Sequence, residues 1–157
     1  RMDEQITILR GLMGGDYFGF KGDFYDIPDL KLCPVPSQPV PILIGGHSKL
    51  ALKRAAKLGD GWISAGITLE ETKDFINQIN LYREEFGTLD HPNYQFQVMG
   101  EAAYSPDGVR ALEDLGATDV IVAFRNAYEG GPDDRTLDSM KAEISWYAEE
   151  VINKFRG

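Results

Sequence analysis

Between residues 40 and 155 the chain alternates strand-like and helix-like segments four times, and no other feature constrains its fold as strongly. Short apolar strands separated by amphipathic helices pair in parallel through right-handed crossovers. Ile42-Leu43-Ile44 reads as a buried strand, followed by a helix over 49–58 with Leu50, Ala51, Ala55 and Leu58 on one face and Gly59 as its stop. Residues 61–65 read as a second strand. Thr68 and Glu71 then form a T-x-x-E capping box that opens a helix over 69–86, with Thr72, Phe75, Ile76, Ile79 and Tyr82 turned inward. Residues 94–99 alternate with period two, a third strand. Ser105 and Pro106 open a helix that ends at Leu115-Gly116. Residues 119–124 form the fourth strand, and a last helix over 136–155 carries Leu137, Met140, Ile144, Tyr147, Ala148, Val151 and Ile152 on one stripe.

Two α/β architectures satisfy this order: a small doubly wound sheet, or part of an eightfold β/α barrel. A whole barrel needs ~250 residues, and the chain has 157. It therefore supplies about half of one. Ahead of the four units, Met2, Ile6, Leu9 and Met13 mark an amphipathic helix ended by Gly14-Gly15, with Met2 and its neighbours reading as mid-helix rather than as a natural start. Gly19, Gly22, Phe18, Phe20, Phe24 and Tyr25 suggest a short hairpin, and Pro28, Pro34, Pro36, Pro39 and Pro41 an extended excursion. We read 1–157 as a single domain, with 1–40 as helix and insertion and 41–157 as the four β/α units.

Charge and composition exclude several classes. With 25 acidic against 16 basic residues the net charge is −9, which repels a phosphate backbone and argues against nucleic-acid binding. No apolar run approaches the ~20 residues needed to span a bilayer. One cysteine, Cys33, excludes an intramolecular disulfide and a multi-thiolate metal site, and suits a cytoplasmic protein. His47 and His91 lack metal-ligand spacing, so no metal centre is expected.

In either architecture ligands gather where parallel strands end. Gly45-Gly46-His47-Ser48 leads from the first strand into a helix N-terminus. Glycines let the backbone approach an anion, and the first-turn N–H groups and the helix dipole favour negative charge. The plainer alternative is a tight turn in which Ser48 only caps the helix. After the second strand, Ser64-Ala65-Gly66 leaves room for a ligand or a bend; Met99-Gly100-Glu101 follows the third. The long polar loop 125–135 suits a lid, a substrate wall or an exposed connection. Arg125 is placed to meet an anion, or to pair with Glu101 or Glu129. His47 points into the site or out of the turn. No acid–base pair assembles from the sequence, and the catalytic residues are unknown.

The run from Pro41 through Gly45-Gly46-His47-Ser48 to Ala51-Leu52-Lys53-Arg54-Ala55-Ala56 and Gly59-Asp60-Gly61-Trp62-Ile63 strongly resembles the luciferase-like monooxygenase superfamily, above all its coenzyme F420-dependent oxidoreductases. Phe20-Lys21-Gly22-Asp23-Phe24-Tyr25 and the proline-rich connection resemble that family's insertion before the fifth strand. The resemblance implies the C-terminal half of a (β/α)8 TIM barrel. It implies a cofactor at the strands' carboxyl ends, F420 or alternatively FMN, with its phosphate at Gly45, Gly46 and Ser48, His47 in the same loop, and Ser64 and Ala65 near the tail. The implied activity is hydride transfer to or from a small-molecule substrate, or oxygenation with FMN; in both the cofactor ring does the chemistry. Family members carry about four further β/α units with the usual proton-transfer residues, so the resemblance implies an oxidoreductase or monooxygenase of which this chain is a fragment, a truncated gene product, or a half-barrel that completes itself by pairing. The remaining alternative is a non-catalytic half-barrel. Its open edges invite a homodimer.

Overall fold

Four strands of the computed structural model lie side by side in the order in which the chain makes them: β3 (Leu43–Gly45), β4 (Gly61–Ile63), β5 (Gln95–Met99) and β6 (Asp119–Ile121), all parallel. The structure describes residues 1–125, 131 and 134–156. Helices α2 (Lys49–Leu58), α3 (Leu69–Phe86) and α4 (Pro106–Asp114) follow β3, β4 and β5 in turn, a 3-10 turn (Glu101–Tyr104) preceding α4. Ahead of them run α1 (Met2–Met13) and the antiparallel hairpin β1 (Phe18–Lys21) and β2 (Asp26–Leu30). After β6 come α5 (Leu137–Tyr147), a π-helical turn (Ala148–Ile152) and the short α6 (Asn153–Arg156).

The register decides between the two architectures. Ile44, Trp62 and Phe96 stand abreast, and Val98 stands beside Val120. On this face Ile44, Trp62, Phe96 and Val98 are buried in one cluster with Leu52, Ala55 and Ala56 of α2, Ile76, Ile79 and Tyr82 of α3, and Leu112 of α4. The opposite face carries Leu43, Ile63, Gln95, Gln97, Met99 and Ile121, all half-buried, together with exposed Gly45 and Asp119. A doubly wound sheet reverses its strand order and has helices on both faces; consecutive order with the packed helices on one face is an arc of a (β/α)8 barrel. The uncovered face is the barrel's inner wall.

Local chemistry explains why the boundaries fall where they do. Ser48 accepts the Ala51 N–H at 3.2 Å and starts α2. Thr68 and Glu71 complete the reciprocal capping box of α3, which stops at Gly87 in the left-handed region. Ser105 caps α4 through the Gly108 N–H at 3.1 Å. The hairpin is held to α1 by the Glu4 carboxylate, which accepts the N–H groups of Asp23, Phe24 and Tyr25. Residues 31–41 run exposed as a surface connection.

Three expected inward stripes are corrected. In α1, Ile6 and Ile8 are buried while Leu9 is 51% exposed, because the helix packs mainly on α2 and the hairpin. In α2, Leu52 and Ala56 take the place expected of Leu50, which is 65% exposed. Among the described residues of the last helix Tyr147 and Val151 alone are buried, and Leu137, Ile144 and Ile152 are exposed. There the π-helical turn inserts a wider repeat, so one 3.6-residue stripe cannot run through it. Among the described residues no helix is long and apolar enough to cross a membrane.

Candidate functional site

At the carboxyl end of β3 the chain turns through Gly45 and Gly46 into α2. Gly46 has φ +112°, a left-handed conformation that glycine adopts without strain, and a Cβ there would stand 3.1 Å from the Ala51 Cβ. A side chain at Gly45 would meet only Ile63 in ordinary contact, at 3.5 Å. Gly45, Gly46, His47 and Ser48 are all exposed. The first helical bond runs from the Leu52 N–H to the Ser48 carbonyl, and Ser48 Oγ takes the Ala51 N–H, so the N–H groups of Lys49 and Leu50 precede the ladder and point out of its end.

The charge around this helix end differs from that of its neighbours. Asp3 and Glu4 occupy the first turn of α1, Glu70 and Glu71 that of α3, Asp107 that of α4 and Asp138 that of α5. The first turn of α2 has no acid and begins with Lys49. At α3 the Glu71 carboxylate already accepts the Thr68 N–H at 2.9 Å and the Thr68 hydroxyl at 3.0 Å. The Thr68 backbone, then its hydroxyl, hold the Glu71 carboxyl below its ordinary range, with His47 adding a pull in the same direction. α3 thus supplies its own anion, and α2 leaves its positive end open.

Three rings fix the loop between these helices. His47 stacks on Phe75 with 5.0 Å between centroids and 18° between planes. Trp62 is tilted against Phe75 at 5.7 Å and against His47 at 6.0 Å. Its indole Nε1–H donates to the Gly46 carbonyl at 2.9 Å. From the next loop, the Ala65 N–H reaches His47 Nε2 at 3.5 Å, bringing Gly45, Gly46, His47, Ser48 and Ala65 into one rim. Ser64 sits beneath it, 3% exposed, accepting the Met99 N–H at 3.0 Å and donating its own N–H to Gln97 at 2.9 Å. Its hydroxyl is engaged with the sheet.

The other two strand ends add less. Glu101 opens the 3-10 turn, and Arg125 donates to the Gly131 carbonyl at 3.0 Å. Glu129 and most of the expected lid, residues 126–130, 132 and 133, lie outside the described residues. His91 lies far from the rim, at the amino end of the sheet, where its Nε2 is 3.5 Å from Asp60. Asp60, which sequence reasoning left without a role, takes the Ile42 N–H at 2.7 Å and Arg10 at 2.9 Å. The only sequence signal for it was an acid between two glycines at a strand start. Among the described residues no group of three or more His, Cys, Asp or Glu could hold a metal.

This arrangement suits a phosphate-bearing ligand. Two glycines keep side chains from the backbone, a helix N-terminus carries a lysine and no acid, and flat rings flank the loop. The rim itself holds no paired acid and base.

A sequence profile of the family described as luciferase-like monooxygenase matches residues 1–139. An uncharacterized protein of Mycobacterium tuberculosis strain H37Rv is 46% identical over 154 residues, which cover 98% of this chain and 52% of the relative. The chain thus spans about half the length of the mycobacterial relatives it matches. An F420-dependent glucose-6-phosphate dehydrogenase of Tsukamurella paurometabola is 28% identical over 115 residues, 73% of this chain and 34% of the relative. An FMNH2-dependent dimethylsulfone monooxygenase of Pseudomonas fluorescens is 35% identical over 79 residues, 50% of this chain and 22% of the relative. The coenzyme F420-dependent tetrahydromethanopterin reductase of Methanopyrus kandleri superposes with a TM-score of 0.73 at 14% identity, over 98% of this chain and 62% of the reductase. That likeness bears on the fold alone.

Proposed function

This chain belongs to the luciferase-like monooxygenase family, whose members include F420- and FMN-dependent oxidoreductases, and from that premise we propose that it supplies the cofactor-phosphate half of an F420-dependent oxidoreductase acting on a small-molecule substrate. The observation that carries the reading is the open, acid-free N-terminus of α2 behind the Gly45-Gly46 turn. The N–H groups of Lys49 and Leu50, the backbone of Gly45, Gly46 and His47, and the Lys49 ammonium hold the phosphate. Ser48 keeps the helix end in place by capping it. Ala65 borders the cofactor beyond the phosphate, and Ser64 fixes that loop to β5. The cofactor, when bound, supplies the hydride chemistry. The protein's part is position and charge.

F420 is placed before FMN because the F420-dependent relative aligns with 73% of the chain and the FMNH2-dependent one with 50%. Apart from Gly61, the inner wall of the arc is half-buried or exposed along β3 to β6, a face that the rest of a barrel would cover. A second copy pairing along the open strands β3 and β6 is one way to close it. A cytoplasmic setting, consistent with the one cysteine, completes the proposal.

Titrating the purified chain with F420 and with FMN, followed by fluorescence and by light scattering, tests the reading. Saturable F420 binding that competes with inorganic phosphate is expected. Tighter binding of FMN transfers the reading to the oxygenase class. If neither cofactor binds while a stable dimer forms, the non-catalytic half-barrel takes its place.

A further inference from the structure

We propose that Trp62 is a positioning residue for the anion loop: its indole N–H locks the Gly46–His47 peptide so that the His47 N–H, and not the Gly46 carbonyl oxygen, faces the bound phosphate. The inference rests on the phosphate reading of residues 45–48.

Trp62 is fully buried, on the helix-facing side of β4 between Ile44 and Phe96. An indole has a single donor, and here it is used on a carbonyl in a loop 16 positions earlier, at 2.9 Å. In a trans peptide the carbonyl of one residue and the N–H of the next point in opposite directions. Holding the Gly46 oxygen toward the buried indole therefore turns the His47 N–H outward, to the exposed side of the loop. Nothing in the local sequence would enforce this. Gly46 has no side chain and sits at φ +112°, so the peptide that follows it is free to rotate unless something outside the loop holds it. A rotated peptide would present a carbonyl's partial negative charge to the anion and withdraw a donor. Phe75 completes the device, touching Trp62 on one side and stacking under His47 on the other.

The chain has two tryptophans, so Trp62 can be addressed by itself. In a Trp146→Phe background, the indole is replaced by benzothienylalanine, which keeps shape and loses the N–H; Trp62→Phe serves as the genetic counterpart. Dissociation constants are measured for F420, FMN, inorganic phosphate and phosphate-free riboflavin. The loss of one net hydrogen bond predicts about three- to tenfold weaker binding of the phosphate-bearing ligands, with riboflavin unchanged. Equal weakening of FMN and riboflavin would mean that the indole only fills space, and would overturn the proposal. So would unchanged affinity throughout. If the parent protein binds none of the phosphate-bearing ligands, the phosphate reading fails first and carries this inference with it.

A second measurement needs no variant. The Trp62 indole proton should exchange with solvent at least a hundredfold more slowly than that of Trp146, which is 48% exposed, and remain protected when ligand binds. Loss of that protection on adding phosphate would show a loop that releases the indole, contrary to the lock.

Discussion

Arg10 of α1 and Asp60 at the head of β4 meet at 2.9 Å across 50 positions of sequence, and the same carboxylate oxygen takes the Ile42 N–H at 2.7 Å. The Asp60 side chain is 15% exposed and that of Arg10 42%. Asp60 thus ties α1 and the approach to β3 to β4. We expect Asp60→Ala to lower unfolding free energy by about 2–3 kcal/mol, because it strands a backbone donor as well as a guanidinium. Arg10→Ala should cost only about 0.5–1 kcal/mol, as befits a half-exposed pair. Urea midpoints decide it: a larger loss for Arg10→Ala would make the ion pair, not the Ile42 N–H, the fastening.

The capping box of α3 should leave a signature in pH. The folded-state pKa of Glu71 is lowered by the Thr68 backbone and hydroxyl. Such a carboxylate contributes stability above its unfolded pKa and loses it as pH falls through its folded value. The wild type should therefore exceed Glu71→Gln in thermal midpoint at neutral pH, and the two should converge in acid. A gap that stays constant across the carboxylate range contradicts the linkage.

Arg83 and Tyr94 make an unusual buried pair. The guanidinium carbon stands 3.9 Å over the Tyr94 ring, and its nitrogens donate to Asn80, Thr88 and Leu89. The Tyr94 hydroxyl is buried with no hydrogen-bond partner among the described residues, and burial pushes its pKa well up. Tyr94→Phe should change stability by less than about 1 kcal/mol, or raise it, since an unsatisfied group is removed. Arg83→Met should cost about 2–4 kcal/mol through the stranded carbonyls. Chemical denaturation of both variants gives the comparison; a loss of similar size for Tyr94→Phe would sink it.

Two neighbouring glycines should respond differently to the same methyl group. Gly46→Ala combines φ +112° with a Cβ at 3.1 Å from Ala51, so it should cost about 1–3 kcal/mol and weaken F420 or FMN binding more than tenfold. Gly45→Ala meets only an ordinary contact and should fold like the parent. Lys49→Glu leaves the backbone alone and places an acid at the open end of α2. It should weaken phosphate-bearing ligands by at least about three- to tenfold, because the ammonium is lost and the new carboxylate repels the phosphate from the helix end. Isothermal titration separates the three.

The parts of the fold legible in sequence are those written in neighbouring residues. Lys49–Leu58 and Leu69–Phe86 are legible in sequence, because Ser48, Gly59, Thr68 and Glu71 mark ends within one turn of the helix they govern. The inward faces of α1 and the last helix are not, since burial there depends on which element lies opposite. The glycine turn stood out in sequence as a place where backbone can approach an anion. What holds that turn did not, because the Trp62–Gly46 and Ala65–His47 contacts join residues 16 and 18 positions apart through a strand and its loop. No periodicity encodes such a bond.

At the end of β4 the Ser64 hydroxyl takes the Met99 N–H, a role a strand carbonyl would otherwise fill. One side chain thereby lets β4 stop while β5 runs on, so the mouth of the arc is stepped until Ile67, whose N–H donates to the Met99 carbonyl at 3.2 Å, brings the loop level again. The lower tread holds Ala65 and the open left-handed Gly66, beside the loop that His47 overlooks. A ligand lying across that step would be cradled on one side by backbone and walled on the other by the longer strand, an asymmetry that gives an elongated molecule a head and a tail before any side chain has read its chemistry.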